Sequence, residues 1–277
     1  MQVKPPAPPR LLGKVAVVTG AGSSGAGIGT GKAISILLAR EGAKVVLVDR
    51  ERARAEETLA IIQSEGGEAL VHVADITRAA ECEAMMAAAR AHFGGLHILV
   101  NNVGIGVRGT VLDVSEDDWD RVIEVNLKGT MLTSKYAIPL MIAGGGGSII
   151  NISSIDAMRS ASGTMAPIAA YSAAKGGINA LTTSMAVHHG RDNIRVNAIA
   201  PGFIFTPIAG NMKPETRALR SAAGPLGTEG TAWDVAWATV FLASDEARWI
   251  TGVILPVDAG LLATTSFCMV PYLRQPE

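Results

Sequence analysis

Between Lys14 and Arg40 the chain runs from a valine-rich segment (Lys14 to Thr19, KVAVVT) through a glycine-rich turn (Gly20 to Gly31) into a helical segment (Lys32 to Arg40) that stops at Gly42. This unit restricts the fold more than any other feature. A short run of β-branched residues without alternation reads as a strand buried on both faces. Such a strand belongs to a parallel sheet, and parallel strands need helical crossovers. Glycines between strand and helix also let the backbone approach a pyrophosphate, and the helix N-terminus offers free N–H groups to it. A nucleotide-hydrolase phosphate loop would need Gly at position 26 and Ser or Thr at 33, but Ala26 and Ala33 stand there.

The unit recurs. Ala43 to Asp49, Glu68 to Ala74, His97 to Val100, Ser148 to Ser153, Ile194 to Ala200 and Gly252 to Val257 read as strands, with helical stretches between most of them. The spacing predicts a single doubly wound parallel sheet of about seven strands, Rossmann-like, with helices on both faces. Ser115 is the expected N-cap of a helix running through Asn126 to about Met141. Asn126 lies among apolar neighbours, so a buried amide there needs partners. At 277 residues and 48% hydrophobic, the chain suits one domain over residues 12–262. A Pro-rich arm (1–11) and a tail (263–277) flank it.

A net charge of -1 gives no basic field for nucleic acid, and no run is apolar enough to span a membrane. Cys82 and Cys268 are far apart and show no metal spacing, and the five histidines form no cluster. No metal site is expected, and a reduced cytoplasmic protein is the simplest reading.

Chemistry concentrates between Ser154 and Lys175. Tyr171 and Lys175 are four apart, so on a helix they share a face. An ammonium about 4 Å from the phenol, at an effective dielectric near 20, favours the phenolate by roughly 4 kcal/mol. Ser154, after an apolar strand, could hydrogen-bond an alcohol or carbonyl oxygen. Together these residues suit moving a proton while a cofactor moves a hydride. Asp49 ends the second strand, where it can accept from an adenosine ribose 2′-OH and repel a 2′-phosphate. NAD is therefore expected over NADP, although Arg50 follows and could pair with a 2′-phosphate.

These motifs, in this order, resemble the short-chain dehydrogenase/reductase family over about Leu12 to Leu262. The resemblance implies Tyr171 as acid/base, Lys175 as the group that lowers its pKa and holds the nicotinamide ribose, Ser154 as orienter of the substrate oxygen, and Asn126 as the fourth member. It also implies cofactor contacts from Gly20, Ser23, Gly27, Ile28, Gly29, Asp49, Arg50, Asp75, Ile76, Asn102, Gly104, Pro201, Gly202, Ile204 and Thr206. The family's glycine motif is lengthened here. Gly27-Ile28-Gly29 is the preferred second half, and Gly29-Thr30-Gly31 is the rival register. Ser154 and Tyr171 stand 17 apart, about four more than is usual in the family.

The expected activity is interconversion of a secondary alcohol and a ketone with NAD(H). Met158, Met165 and Ile168 in the long loop, with Ile208 and Met212 in a lid over Pro207 to Gly224, predict an apolar or alicyclic substrate. A 3-oxoacyl-thioester or sugar enzyme of the same family, or a non-catalytic dinucleotide-binding sensor, are the alternatives. A homotetramer is what the resemblance implies.

Overall fold

Valine and isoleucine dominate seven short runs that pair into one parallel sheet. They are β1 (Val15–Thr19), β2 (Lys44–Asp49), β3 (Ala69–Val73), β4 (Ile98–Asn101), β5 (Gly147–Ile152), β6 (Ile194–Pro201) and β7 (Ile254–Val257). The computed structural model describes residues 9–160, 166–207, 212–265 and Met269. Spatial order is β3-β2-β1-β4-β5-β6-β7, with every ladder parallel.

Eight helices accompany the sheet among the described residues: α1 (Thr30–Arg40), α2 (Arg52–Ser64), α3 (Ala79–Phe93), α4 (Glu116–Ile123), α5 (Gly129–Ala143), α6 (Ala169–His189), α7 (Pro214–Ala223) and α8 (Ala232–Ala243). Side chains alternate across each strand, so β1 serves two cores. Ala16 and Val18 pack with Ile34 and Leu38 of α1 and with Val235 and Val240 of α8. Val15 and Val17 pack with Met85 and Met86 of α3 and with Leu132 and Met141 of α5. Each fully buried aliphatic side chain contributes roughly 1.5–3 kcal/mol. That double burial explains why the strand runs are continuously apolar.

Strand order reverses between β1 and β4. Crossovers leave on opposite faces there and open a crevice at the carboxyl ends of the strands. The glycine turn, Asp49, Asn102, Ser154, Tyr171 and Lys175 lie at that end.

Three local features differ from expectation. The helix after Ser115 is two helices, α4 and α5, joined by a π-helical turn at Glu124–Lys128. Ser115 does cap it, its Oγ accepting from the Asp118 N–H at 3.1 Å. A second small ladder pairs Ile204–Phe205 with Gly230–Thr231 and ties the chain after β6 to the start of α8. Leu11, assigned to the arm, is fully buried, and Arg10 pairs with Glu246. Met165, Ile208, Cys268, the arm up to Pro8 and most of the tail lie outside the described residues.

Candidate active site

The strand ends deliver their polar residues into one cleft of about 820 Å³. At one end, β1 gives way to Gly20 and the glycine turn. Gly31, in the first turn of α1, passes so close to the Gly20 carbonyl oxygen and Asn102 Nδ2 that a Cβ would collide with both. Gly29 and Gly31 line the cleft with Gly20 and Ser23. Gly27 and Ile28 do not: Gly27 is exposed and Ile28 packs against the core beneath α1. This corrects the preferred register. The helix begins after Gly29, so Gly29-Thr30-Gly31 supplies the close approach.

Asp49 holds this turn. Its Oδ2 accepts from the Gly22 N–H at 3.0 Å and its Oδ1 from the Glu51 N–H at 3.0 Å. Asp49 and Arg50 line the cleft, as does Arg54. Asp75 and Ile76 line the same wall, with Asp75 Oδ1 fixed by the Thr77 N–H and hydroxyl. Those two donors help hold the Asp75 carboxyl below the usual carboxylate range, although burial opposes them most. Asn102 Nδ2 donates to the carbonyls of Thr19 and Gly20, bracing β1 against β4.

At the other end, β5 leads to Ser154, and α6 carries Tyr171 and Lys175 on one face. All three line the cleft. Lys175 is buried, its Nζ donating to the Ile152 carbonyl at 2.6 Å and standing 5.5 Å from the Tyr171 ring centroid. Burial pushes the Tyr171 phenol up to about 12; the Ser154 hydroxyl opposes this and the Asp156 charge adds to it. Burial pulls the Lys175 ammonium down to about 8. Desolvation is the largest cause of the Tyr171 rise, and Lys175 does not figure among its causes. Asn126 lies in the π turn behind the wall. Its Nδ2 donates to the carbonyls of Ile105 and Val122, and its Oδ1 accepts from the Ile105 N–H. Gly104 is pressed between them: a Cβ there would lie 2.9 Å from Asn126 Oδ1 and 3.3 Å from Lys175 Nζ.

Pro201, Gly202, Ile204 and Thr206 line the cleft after β6, and Ile168 lines it before α6. Two pocket expectations fail. Met158 is exposed outside the lining, and the Met212 sulfur accepts from Arg220 Nη1 at 3.1 Å instead of facing the cleft. The lining is also more charged than expected, with Arg108, Arg121, Asp156 and Arg220 beside Ile105, Val107 and Val125. Those cations come from three separate segments, so no local spacing betrayed them. Asp156 was not singled out either, although a carboxylate two residues beyond Ser154 is a signal the sequence carries.

The residues at the glycine end fit a dinucleotide. Ser23 Oγ is buried and faces the cleft, and among the described residues it has no partner and no side chain caps the N-terminus of α1. Both invite anionic oxygens. No cluster of His, Cys, Asp or Glu among the described residues could hold a metal. Burial pushes the Cys82 thiol up to about 11, which leaves it inert.

A dinucleotide crevice beside a Ser, Tyr and Lys set defines a nicotinamide-dependent oxidoreductase. A family profile described as enoyl-(acyl carrier protein) reductase matches residues 25–262. The chain is 38% identical to 2-(S)-hydroxypropyl-CoM dehydrogenase 3 of Xanthobacter autotrophicus, over 92% of this chain and 98% of that one. It is 40% identical to 2,5-dichloro-2,5-cyclohexadiene-1,4-diol dehydrogenase LinX of Sphingobium indicum, over 91% and 97%. A solved 7α-hydroxysteroid dehydrogenase, complexed with NADH and 7-oxo-glycochenodeoxycholic acid, superposes with a TM-score of 0.84 at 35% identity, over 91% of this chain and 96% of that one. The chain belongs to the short-chain dehydrogenase/reductase family. It is an oxidoreductase acting on CH–OH groups with a nicotinamide dinucleotide.

Proposed function

We propose that this chain interconverts a secondary alcohol and a ketone with NAD(H), and that Tyr171 is its acid/base. The observation that carries this reading is the placement of Tyr171, Lys175 and Ser154 around one end of the cleft whose other end holds Asp49 and the glycine turn. When bound, the cofactor supplies the hydride acceptor and a positively charged ring. Ser154 Oγ, which keeps one lone pair free beyond its two bonds to Asp156, positions the alcohol oxygen. Tyr171, as phenolate, takes the alcohol proton, and in the reverse direction the phenol returns it to the carbonyl oxygen. Lys175 supplies fixed positive charge in a desolvated wall, where it is worth more than in water. Asn126 holds Ile105 and the Gly104 turn so that Lys175 keeps its place.

Asp49 supports NAD over NADP, because its carboxylate faces the adenosine end of the cleft and repels a 2′-phosphate. Ile105, Val107, Val125 and Ile168 support a cyclic, largely apolar substrate body, in keeping with the cyclic compounds named for the relatives. Residues 12–262 form the catalytic unit. Trp237, half exposed on α8, and Trp249, 91% exposed, support a homotetramer built across the β7 edge. The free buried thiol of Cys82 suits the cytoplasm. No helix among the described residues is long and apolar enough to cross a membrane.

The test is a spectrophotometric screen at 340 nm with NAD⁺ and NADP⁺ separately, against cyclic, aromatic, steroid and sugar alcohols. Reduction of NAD⁺ by one class supports the reading. Tight NADH binding with no turnover of any alcohol, or of any ketone in reverse, would contradict it.

A further inference from the structure

A carboxylate stands in the cleft two residues after Ser154. Asp156 lies in the single helical turn Ile155–Ala157 that follows β5. Its Oδ2 accepts from the Ser154 hydroxyl at 3.0 Å, and Ser154 Oγ accepts from the Asp156 N–H at 3.1 Å. This closed pair fixes the carboxylate beside the point where the substrate oxygen rests. The other oxygen, Oδ1, accepts no hydrogen bond from any described residue, and no cation among them pairs with Asp156. Burial raises its pKa, and its charge opposes ionisation of Tyr171. Oδ1 is not sealed from solvent, so water can meet its need for a donor and a substrate hydroxyl can take that water's place. Among the described residues Ser154 and Tyr171 interact with Asp156, and neither donates to Oδ1.

The geometry indicates which donor. Two hydroxyl oxygens on neighbouring carbons in a gauche arrangement stand about as far apart as Ser154 Oγ and Asp156 Oδ2. A substrate hydroxyl that donates to the remaining lone pair of Ser154 Oγ therefore brings an adjacent hydroxyl within reach of Asp156. We propose that Asp156 is a specificity-determining residue that accepts a hydrogen bond from a second substrate hydroxyl, on the carbon next to the carbinol, so that vicinal diols are selected over matching mono-alcohols. An anionic substituent at that carbon is rejected by the same carboxylate. This proposal rests on Ser154 and Tyr171 being the reacting end of the cleft.

The experiment compares three pairs: cyclohexanol with cis-1,2-cyclohexanediol, 1-indanol with cis-1,2-indanediol, and 2-propanol with 1,2-propanediol. Affinities are measured by calorimetry on the full chain saturated with NADH, and kcat/KM is measured in parallel with NAD⁺. A hydrogen bond to a charged group predicts at least one diol binding about 10- to 100-fold more tightly than its mono-alcohol. Asp156→Ala is expected to bring that ratio near one, and the isosteric Asp156→Asn to within a few-fold, with NADH affinity reporting that each variant is folded. A residue that merely props Ser154 would weaken both members of a pair equally and leave the ratio unchanged. That result, or the absence of a diol preference in all three wild-type pairs, overturns the proposal. A diol preference lost in Asp156→Ala, with no turnover, would sustain it while contradicting the dehydrogenase reading.

Discussion

Asn126 and Ile105 exchange two hydrogen bonds: the Ile105 N–H donates to Asn126 Oδ1 at 3.3 Å, and Asn126 Nδ2 donates to the Ile105 carbonyl at 2.9 Å. The side-chain amide thus stands where a neighbouring strand's peptide group would. A third bond, from Nδ2 to the Val122 carbonyl at 2.8 Å, fixes the amide within the π turn. Asn126→Ala removes all three and strands buried backbone groups. A loss of roughly 2–4 kcal/mol is expected, read as a lower denaturant midpoint at unchanged slope. A change within about 0.5 kcal/mol would show that the clamp carries no load.

Lys175 gives a pH test of stability. Burial moves its ammonium from the ordinary 10.5 to about 8. Between those values the unfolded chain binds more protons than the folded one, so stability rises with pH across that window. The cost is fully present below pH 8 and fades towards 10.5. Lys175→Met keeps the apolar stem and removes the charge. Net of the lost bond to Ile152, a gain of roughly 1–2 kcal/mol is expected at pH 7, or a few degrees in Tm. Thermal scans from pH 7 to 10 should show the gap closing. A constant gap would mean that the charge is not the cause.

Two glycines separate close approach from mere flexibility. A Cβ on Gly31 would strike the Gly20 carbonyl, whereas Gly190 has a helical φ of -60° and nothing within 4 Å of a Cβ. Gly31→Ala should weaken NADH binding at least tenfold and lower Tm. Gly190→Ala should leave NADH binding unchanged and raise stability by about 0.4–1 kcal/mol. Fluorescence titration and melting of both variants decide this.

Asp49→Ala should shift the ratio of kcat/KM for NAD⁺ over NADP⁺ by at least tenfold towards NADP⁺. Two effects combine: the repulsion of a 2′-phosphate is removed, and the Gly22 N–H loses its acceptor. An unchanged ratio would move cofactor choice from Asp49 to Arg50 and Arg54.

The sheet was legible because its strands are buried on both faces and so read as continuous apolar runs. Asn126 was legible because a polar residue in an apolar helix must find partners. The glycine register was not, because two overlapping G-x-G patterns differ only in which glycine meets the Gly20 carbonyl, a tertiary contact. Met158 and Met212 misled for a similar reason: composition places methionines near a pocket, but rotation about the chain decides whether they face it. Arg220 escaped notice because its place beneath Phe203 and Ile204 depends on how α7 folds back. The rise of the Tyr171 phenol was not legible because the Tyr171–Lys175 spacing reveals a neighbouring charge but not desolvation, its largest cause.

The most direct test of the central claim is Tyr171→Phe, assayed at 340 nm with NAD⁺ and the best alcohol from the screen, beside NADH binding by fluorescence. The substitution deletes one hydroxyl from a partly buried ring. The account predicts a fall in kcat of at least a thousandfold with NADH affinity within about threefold of wild type. Comparable turnover in the variant would contradict it, and the proton would then pass through another group.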